Sequence, residues 1–281
     1  MPPISSSVPA EPAVPVPCAT PPMPGAHWHA AEAAAGAGAG LWLLPERAAF
    51  DPVLGLLLVA DAHLGKAHVF RRLGVPVPAG TTERLLARLD AVLTATGARE
   101  LVFLGDLLHG PAVQRSAALQ AFCAWRATHP QVTMTLLRGN HDARAGDPPP
   151  EAGLQLADAP LRRGPWRLLH EPEAPSAPPL APPPALLPPA TADRALRAET
   201  GYALAGHLHP GLSLGARRGD RLRLPCFHFG PAAGVLPAFG EFTGLHLLRA
   251  GPGERQYAVL PPPQAAVRPV QTSMVRVPAP R

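Results

Sequence analysis

The stretch Leu56-Leu57-Leu58-Val59-Ala60-Asp61-Ala62-His63 sets five apolar residues directly before a carboxylate and an imidazole. A short apolar run bounded by Gly55 and Asp61 is what a strand buried on both faces requires. Residues two apart on an extended chain point to the same side, so Asp61 and His63 can bind one ion. The pattern then repeats. Leu101-Val102-Phe103-Leu104 reads as a second buried strand and ends in Gly105-Asp106. Val132 to Leu137 reads as a third and leads into Gly139-Asn140-His141-Asp142. After the first strand comes a loop, then Thr82 to Leu93 with apolar residues at 85, 86, 89, 92 and 93. Ser116 to Arg126 carries Leu119, Phe122 and Trp125 on one side, so both segments have helical spacing. This alternation of strands and helices is that of an α/β unit with parallel pairing, which gathers its site at the strand carboxyl ends.

The second half of the chain is strand-rich. Strands are expected near Trp166–Leu169, Tyr202–Ala205, Leu222–Phe229, Leu245–Leu248 and Tyr257–Leu260, with one helix around Asp193–Glu199. The halves together predict two sheets face to face with helices outside. His170 directly follows an apolar strand, and Gly206-His207-Leu208-His209 again spaces two imidazoles by two residues, for one site or two neighbouring ones. Asp61, His63, Asp106, Asn140, His170, His207 and His209 form a mixed nitrogen and oxygen set without thiolate, which suits Mn, Fe or Zn better than Mg or Ca. Singly these pieces are weak, because Gly-Asp is commonly a turn and Asn a left-handed cap. Their order, at the ends of successive apolar strands, is what carries weight.

Composition bounds the rest. A chain of 281 residues with 47% hydrophobic composition can bury one sizeable core, so a single domain is expected. The 40 prolines gather at the two ends and between Pro172 and Pro189. Residues 1–26 are therefore expected to be disordered, 27–260 to form the domain with a Pro-rich insertion loop at 173–190, and 261–281 to be a tail. The first regular structure is expected near Leu41–Leu44. A net charge of +5 would suit a polyanion, but it comes almost wholly from dispersed Arg and is weak evidence for nucleic acid. Cys18, Cys123 and Cys226 are odd in number, which fits a reducing compartment. No secretory signal and no apolar run long enough to span a bilayer is present, so the expectation is a cytoplasmic protein without a membrane partner. The chain has one Asn and one Lys, Asn140 and Lys66, and both fall inside these motifs.

Asp61-x-His63, Gly105-Asp106, Gly139-Asn140-His141-Asp142, His170 and Gly206-His207-x-His209 resemble the five signature blocks of the calcineurin-like metallophosphoesterases, over about residues 41–260. The resemblance implies a four-layer α/β/β/α sandwich, two mixed sheets flanked by helices, with a di-metal centre. It implies that Asp61, His63 and His209 hold one metal, Asn140, His170 and His207 the other, and that Asp106 bridges them. The expected cofactors are two divalent transition-metal ions, Mn²⁺ foremost, with Fe or Zn as alternatives. Such a pair lowers the pKa of a bridging water for in-line attack on phosphorus. His141 is implied as the group that stabilises the transition state or protonates the leaving oxygen, and Asp142 either orients that imidazole or caps the loop.

A narrower likeness runs through Asp61-Ala-His-Leu-Gly-Lys66-Ala-His, Phe70-Arg71-Arg72-x-Gly74-x-Pro76 and Leu236-Pro237-Ala238-Phe239-Gly240, which are similar to the ligase-associated metallophosphoesterases of bacterial DNA repair clusters. It implies a phosphodiesterase or DNA endonuclease that works with a ligase and a helicase, and a homodimer. Lys66, Arg71 and Arg72 would then meet substrate phosphates, or be plain surface charge. A small-molecule phosphoesterase on the same scaffold and a non-catalytic binding protein are the competing readings.

Overall fold

The protein is described by a computed structural model covering residues 20–31, 38–173, 201–215, 221–261 and 266–270. Its first sheet has seven strands in sequence order: β1 (His27–Ala30), β2 (Gly40–Leu43), β3 (Ala48–Asp51), β4 (Leu56–Val59), β5 (Glu100–Phe103), β6 (Thr133–Leu137) and β7 (Gln155–Ala157). β1 to β4 pair antiparallel, and β4 to β7 pair parallel. The second sheet holds β8 (Leu161–Arg163), β9 (Trp166–Leu168), β10 (Tyr202–Ala205), β11 (Pro210–Gly215), β12 (Arg221–Phe229), β13 (Ala233–Val235), β14 (His246–Leu247), β15 (Arg255–Leu260) and β16 (Ala266–Val270), and is also mixed.

The all-apolar run of β4 is explained by what lies on either side of it. Leu56 and Leu58 enter a core shared with Trp166, Leu204, Phe227 and Val259 of the second sheet, whereas Leu57 and Val59 face the opposite way. There they meet helix residues. Of the four α-helices among the described residues, α1 (Lys66–Arg72), α2 (Thr81–Thr96), α3 (Ala117–Ala127) and α4 (Asn140–Ala145), it is α2 and α3 that cover this outer face. The buried stripe Leu85, Leu89, Val92 and Leu93 of α2 is the one that the helical spacing predicts, and Gly97 ends the helix at φ +60°. The result is a single domain of two face-to-face mixed sheets. The expected helix over Asp193–Glu199 and nearly all of the Pro-rich insertion fall in 174–200, outside the described residues.

Four details depart from the expectation. Among the described residues regular structure begins at β1, ahead of Leu41, and within the segment expected to be disordered Met23 and Ala26 pack on the core. Part of the expected tail is β16, paired antiparallel with β15, with the Val267 N–H donating to Gly25 O at 2.8 Å. The loop expected after Asp61-Ala-His63 contains α1; it buries no residue, so no apolar period betrayed it. Asn140 to Ala145, read only as a polar cluster, is the short helix α4. Among the described residues no helix is long and apolar enough to cross a membrane.

Candidate metal centre

The parallel strands deliver the polar clusters to one place. Asp61 and His63 follow β4, Asp106 follows β5, Asn140 and His141 open α4 after β6, His170 follows β9, and His207 and His209 lie between β10 and β11. Backbone bonds lock these loops together: Asp61 N–H donates to Gly105 O at 3.2 Å, His63 N–H to Asp106 O at 2.9 Å, and Gly206 N–H to His170 O at 3.0 Å. The glycines beside the clusters are sterically required. A Cβ on Gly139 would collide with the Asp106 carboxylate, and one on Gly206 would lie 2.7 Å from Asp61 Oδ2.

Backbone strain marks the same positions. Among the described residues seven non-glycine residues have left-handed φ, and five of them are Asp61, His63, Asp106, His207 and His209, at φ between +48° and +66°. Asp and His tolerate that region better than most, yet each still costs roughly 1 kcal/mol or more, and such strain gathers at functional sites.

The side chains converge in two groups. In the first, His63 Nε2 and His209 Nε2 stand 3.2 Å apart, with Asp61 Oδ1 3.7 Å from His209 Nε2. In the second, His170 Nε2 is 3.0 Å from Asn140 Oδ1, 3.1 Å from His207 Nδ1 and 3.4 Å from Asp106 Oδ1. The tautomer of His170 follows from its other nitrogen, because Nδ1–H donates to Leu104 O at 2.9 Å. That leaves Nε2 as a lone-pair donor facing two oxygens that are themselves acceptors, a repulsive arrangement that a cation would reverse. Asp61 Oδ1 is equally telling. It is buried without a hydrogen-bond partner, while Oδ2 accepts the His207 N–H at 2.9 Å. An unpaired carboxylate oxygen in the interior is costly unless it meets a positive charge. The donor set therefore fits divalent cations, with Asp61, His63 and His209 in one group and Asp106, Asn140, His170 and His207 in the other.

His141 is partly exposed beside Asp106. Its N–H donates to Asp106 Oδ1 at 2.8 Å, and its Nε2 lies 3.9 Å from Asp106 Oδ2. Burial holds its pKa below the ordinary imidazole value, with Asp106 opposing. Burial depresses His63 further, since Lys66 and three imidazoles add to it. Asp142 does not orient the His141 ring. Its carboxylate accepts the N–H groups of Leu108 at 2.8 Å and Gly139 at 3.0 Å, which makes it the brace between the β5 and β6 loops.

Sequence reasoning missed His109. Its ring stacks on that of His141 at 4.7 Å, and its Nδ1 is 3.4 Å from His63 Nδ1, so His63, His109 and His141 form a third cluster. The signal available was an imidazole three residues after Asp106. Burial, then Lys66 and His141, lower its pKa to about 4. Of the three basic residues expected near substrate, Lys66 is within electrostatic reach of Asp61 and Asp106. Arg71 instead spends its guanidinium on Val77 O at 3.3 Å and Pro78 O at 2.6 Å, and Arg72 is exposed at the end of α1.

Residues 55–176 match the family described as calcineurin-like phosphoesterase. Among solved structures, the nuclease MPE of Pseudomonas putida is 36% identical with a TM-score of 0.65, over 83% of this chain and 96% of that one. A protein of unknown function from Aquifex aeolicus, AQ665, is 16% identical at a TM-score of 0.31, over 58% of this chain and 81% of that one. The phosphoesterase YfcE of E. coli is 19% identical at 0.29, over 72% and 86%. No curated protein matches the chain.

Proposed function

The chain belongs to the calcineurin-like phosphoesterase family and is a metal-dependent phosphoester hydrolase, and from that premise we propose that it is a two-metal phosphodiesterase acting on DNA. One observation carries the two-metal reading: buried acceptors face one another in both groups, with Asp61 Oδ1 unpaired in one and His170 Nε2 against Asn140 Oδ1 and Asp106 Oδ1 in the other. Asp61, His63 and His209 would hold one ion and Asn140, His170 and His207 the other, with Asp106 as the ligand proposed to be shared. The mixed nitrogen and oxygen donors suit manganese, iron or zinc, and manganese is the ion of this proposal. Bound cations supply Lewis acidity toward phosphate oxygens and lower the pKa of water.

The protein's own groups supply the remainder. His141, half-buried with its backbone fixed by Asp106, delivers a proton to the leaving oxygen. His109, stacked on it, holds the ring in place. Lys66 adds positive charge where a phosphate approaches.

The DNA reading is supported by the Pseudomonas putida relative, which is named a nuclease. Function beside a ligase and a helicase in DNA repair, a cytoplasmic location and a homodimer belong to the same proposal; co-purification with ligase and light scattering test the partners and the dimer. The reaction is tested with manganese-loaded protein on bis(p-nitrophenyl) phosphate, the matching monoester and an oligodeoxynucleotide. Diester and DNA cleavage, lost in Asp106→Ala, support the proposal; monoester-only turnover would replace it with a small-molecule phosphatase.

A further inference from the structure

A cavity of about 270 Å³ adjoins the candidate metal centre and shares His63 with it. It is walled by α1, the first turns of α2 and α3, and the loop that carries Glu241 and Phe242. Lys66 lies at the join: it lines the cavity together with His63, one turn of chain before it.

Phe242 is the unusual member of this lining. It is 40% exposed, and its φ of +59° is in the left-handed region that a bulky aromatic rarely adopts. Among the described residues the only other left-handed non-glycine residues are Arg47 and the five of the metal centre. The loop around Phe242 is nonetheless firmly held. Arg88 donates to Phe239 O at 2.8 Å and lies over the Phe239 ring at 4.2 Å. Arg47 donates to Ala238 O at 3.3 Å and Gly240 O at 3.4 Å. Arg84 pairs with Glu241 at 3.0 Å, which offsets the one carboxylate of this loop that would repel an anion. An exposed ring, held in strained backbone by a rigid loop at the rim of a cavity, has the properties of a preformed contact surface rather than of a core residue.

We propose that Phe242 is a stacking platform for one unpaired nucleobase next to the phosphate at the metal centre, with the cavity receiving that nucleotide and Lys66 holding the phosphate between. This rests on the DNA reading above. Aromatic faces grip any base without regard to its sequence, and a nearby cation tracks the backbone. The cavity is smaller than the ~300–1,000 Å³ of ordinary ligand sites, which suits a single ring system. A base inside a duplex has both faces covered by its neighbours, so the platform selects for unpaired strand.

The test compares Phe242→Gly, which removes the ring and takes the same φ without strain, with Phe242→Trp, which keeps an aromatic face. Each manganese-loaded protein is assayed on a single-stranded oligodeoxynucleotide and on methyl p-nitrophenyl phosphate, which has no flanking base. Phe242→Gly is expected to raise the oligonucleotide KM about tenfold or more, with kcat/KM on the small diester within about twofold of wild type, and Phe242→Trp to restore the oligonucleotide KM. An unchanged oligonucleotide KM in Phe242→Gly would overturn the inference, as would a parallel loss on both substrates. Wild-type protein that cleaves the small diester but not the oligonucleotide would overturn the DNA reading itself, and this inference with it.

Discussion

Asp61 Oδ1, fully buried and unpartnered, makes the metal-free centre electrostatically unfavourable. Asp61→Asn keeps the side chain's shape while removing its charge. It is expected to weaken manganese binding at least tenfold, measured by calorimetry, while thermal unfolding in chelator stays within about 1 kcal/mol of wild type. His141→Ala should act in the reverse sense, lowering DNA turnover by about 10²–10⁴ without reducing bound metal. At this scale much was legible, since an Asp or His at the end of an apolar strand can be read from spacing alone, as with Asp61-x-His63 and His207-x-His209. His109 was not, because nothing in a linear spacing says that a ring three residues past Asp106 folds back onto His141. Asp142 stands beside His141 in sequence, yet its carboxylate turns to the N–H groups of Leu108 and Gly139.

Among the elements, the contact between the sheets has a polar fastening within its apolar core. Trp166 Nε1–H of β9 donates to Asp51 Oδ2 of β3 at 2.6 Å, and Asp51 Oδ1 accepts the Val53 and Leu54 N–H groups at 2.8 and 3.0 Å. Asp51→Ala would strand all three donors and is expected to cost about 3 kcal/mol in urea unfolding; Trp166→Phe, which strands none of the backbone donors, should still create space in a filled site. β1 gives the fold an acid sensitivity. His29 is buried against Phe229 at 3.8 Å with Nδ1 2.8 Å from Tyr257 Oη, and burial, then Arg255 and His27, lower its pKa to about 3. Because the folded value lies below the ordinary 6.5, the folded state binds the proton less readily than the unfolded chain. Stability from this site is therefore complete above about pH 6.5 and is lost as pH falls toward 3, by at most about 1.4 kcal/mol per pH unit. His29→Gln should flatten the unfolding midpoint over that window relative to wild type. The central elements were readable because β4 and α2 carry clear apolar patterns. β1 (His-Trp-His-Ala) and β3 (Ala-Ala-Phe-Asp) mix small and polar residues, and α1 buries nothing, so hydrophobic period could not reveal them.

For the whole molecule, the two sheets form a rigid frame whose loops are bent into left-handed backbone at the centre, a local cost borne by the surrounding core. Metal binding should offset that cost, so manganese at about 100 times its Kd is expected to stabilise the folded state by roughly 2.7 kcal/mol, seen as a higher Tm that chelator reverses. The face-to-face sheets followed from a βαβ half joined to a strand-rich half, whereas the strand β16 inside a Pro-rich stretch did not, because tail and edge strand share that composition. On the proposed reading the chain builds two adjoining cation sites with Asp106 between them. Calorimetric titration of metal-free protein with manganese tests it most directly. Two equivalents bound by wild type, with both sites weakened in Asp106→Ala, is the predicted result; a single equivalent, or binding indifferent to Asp106, would contradict it.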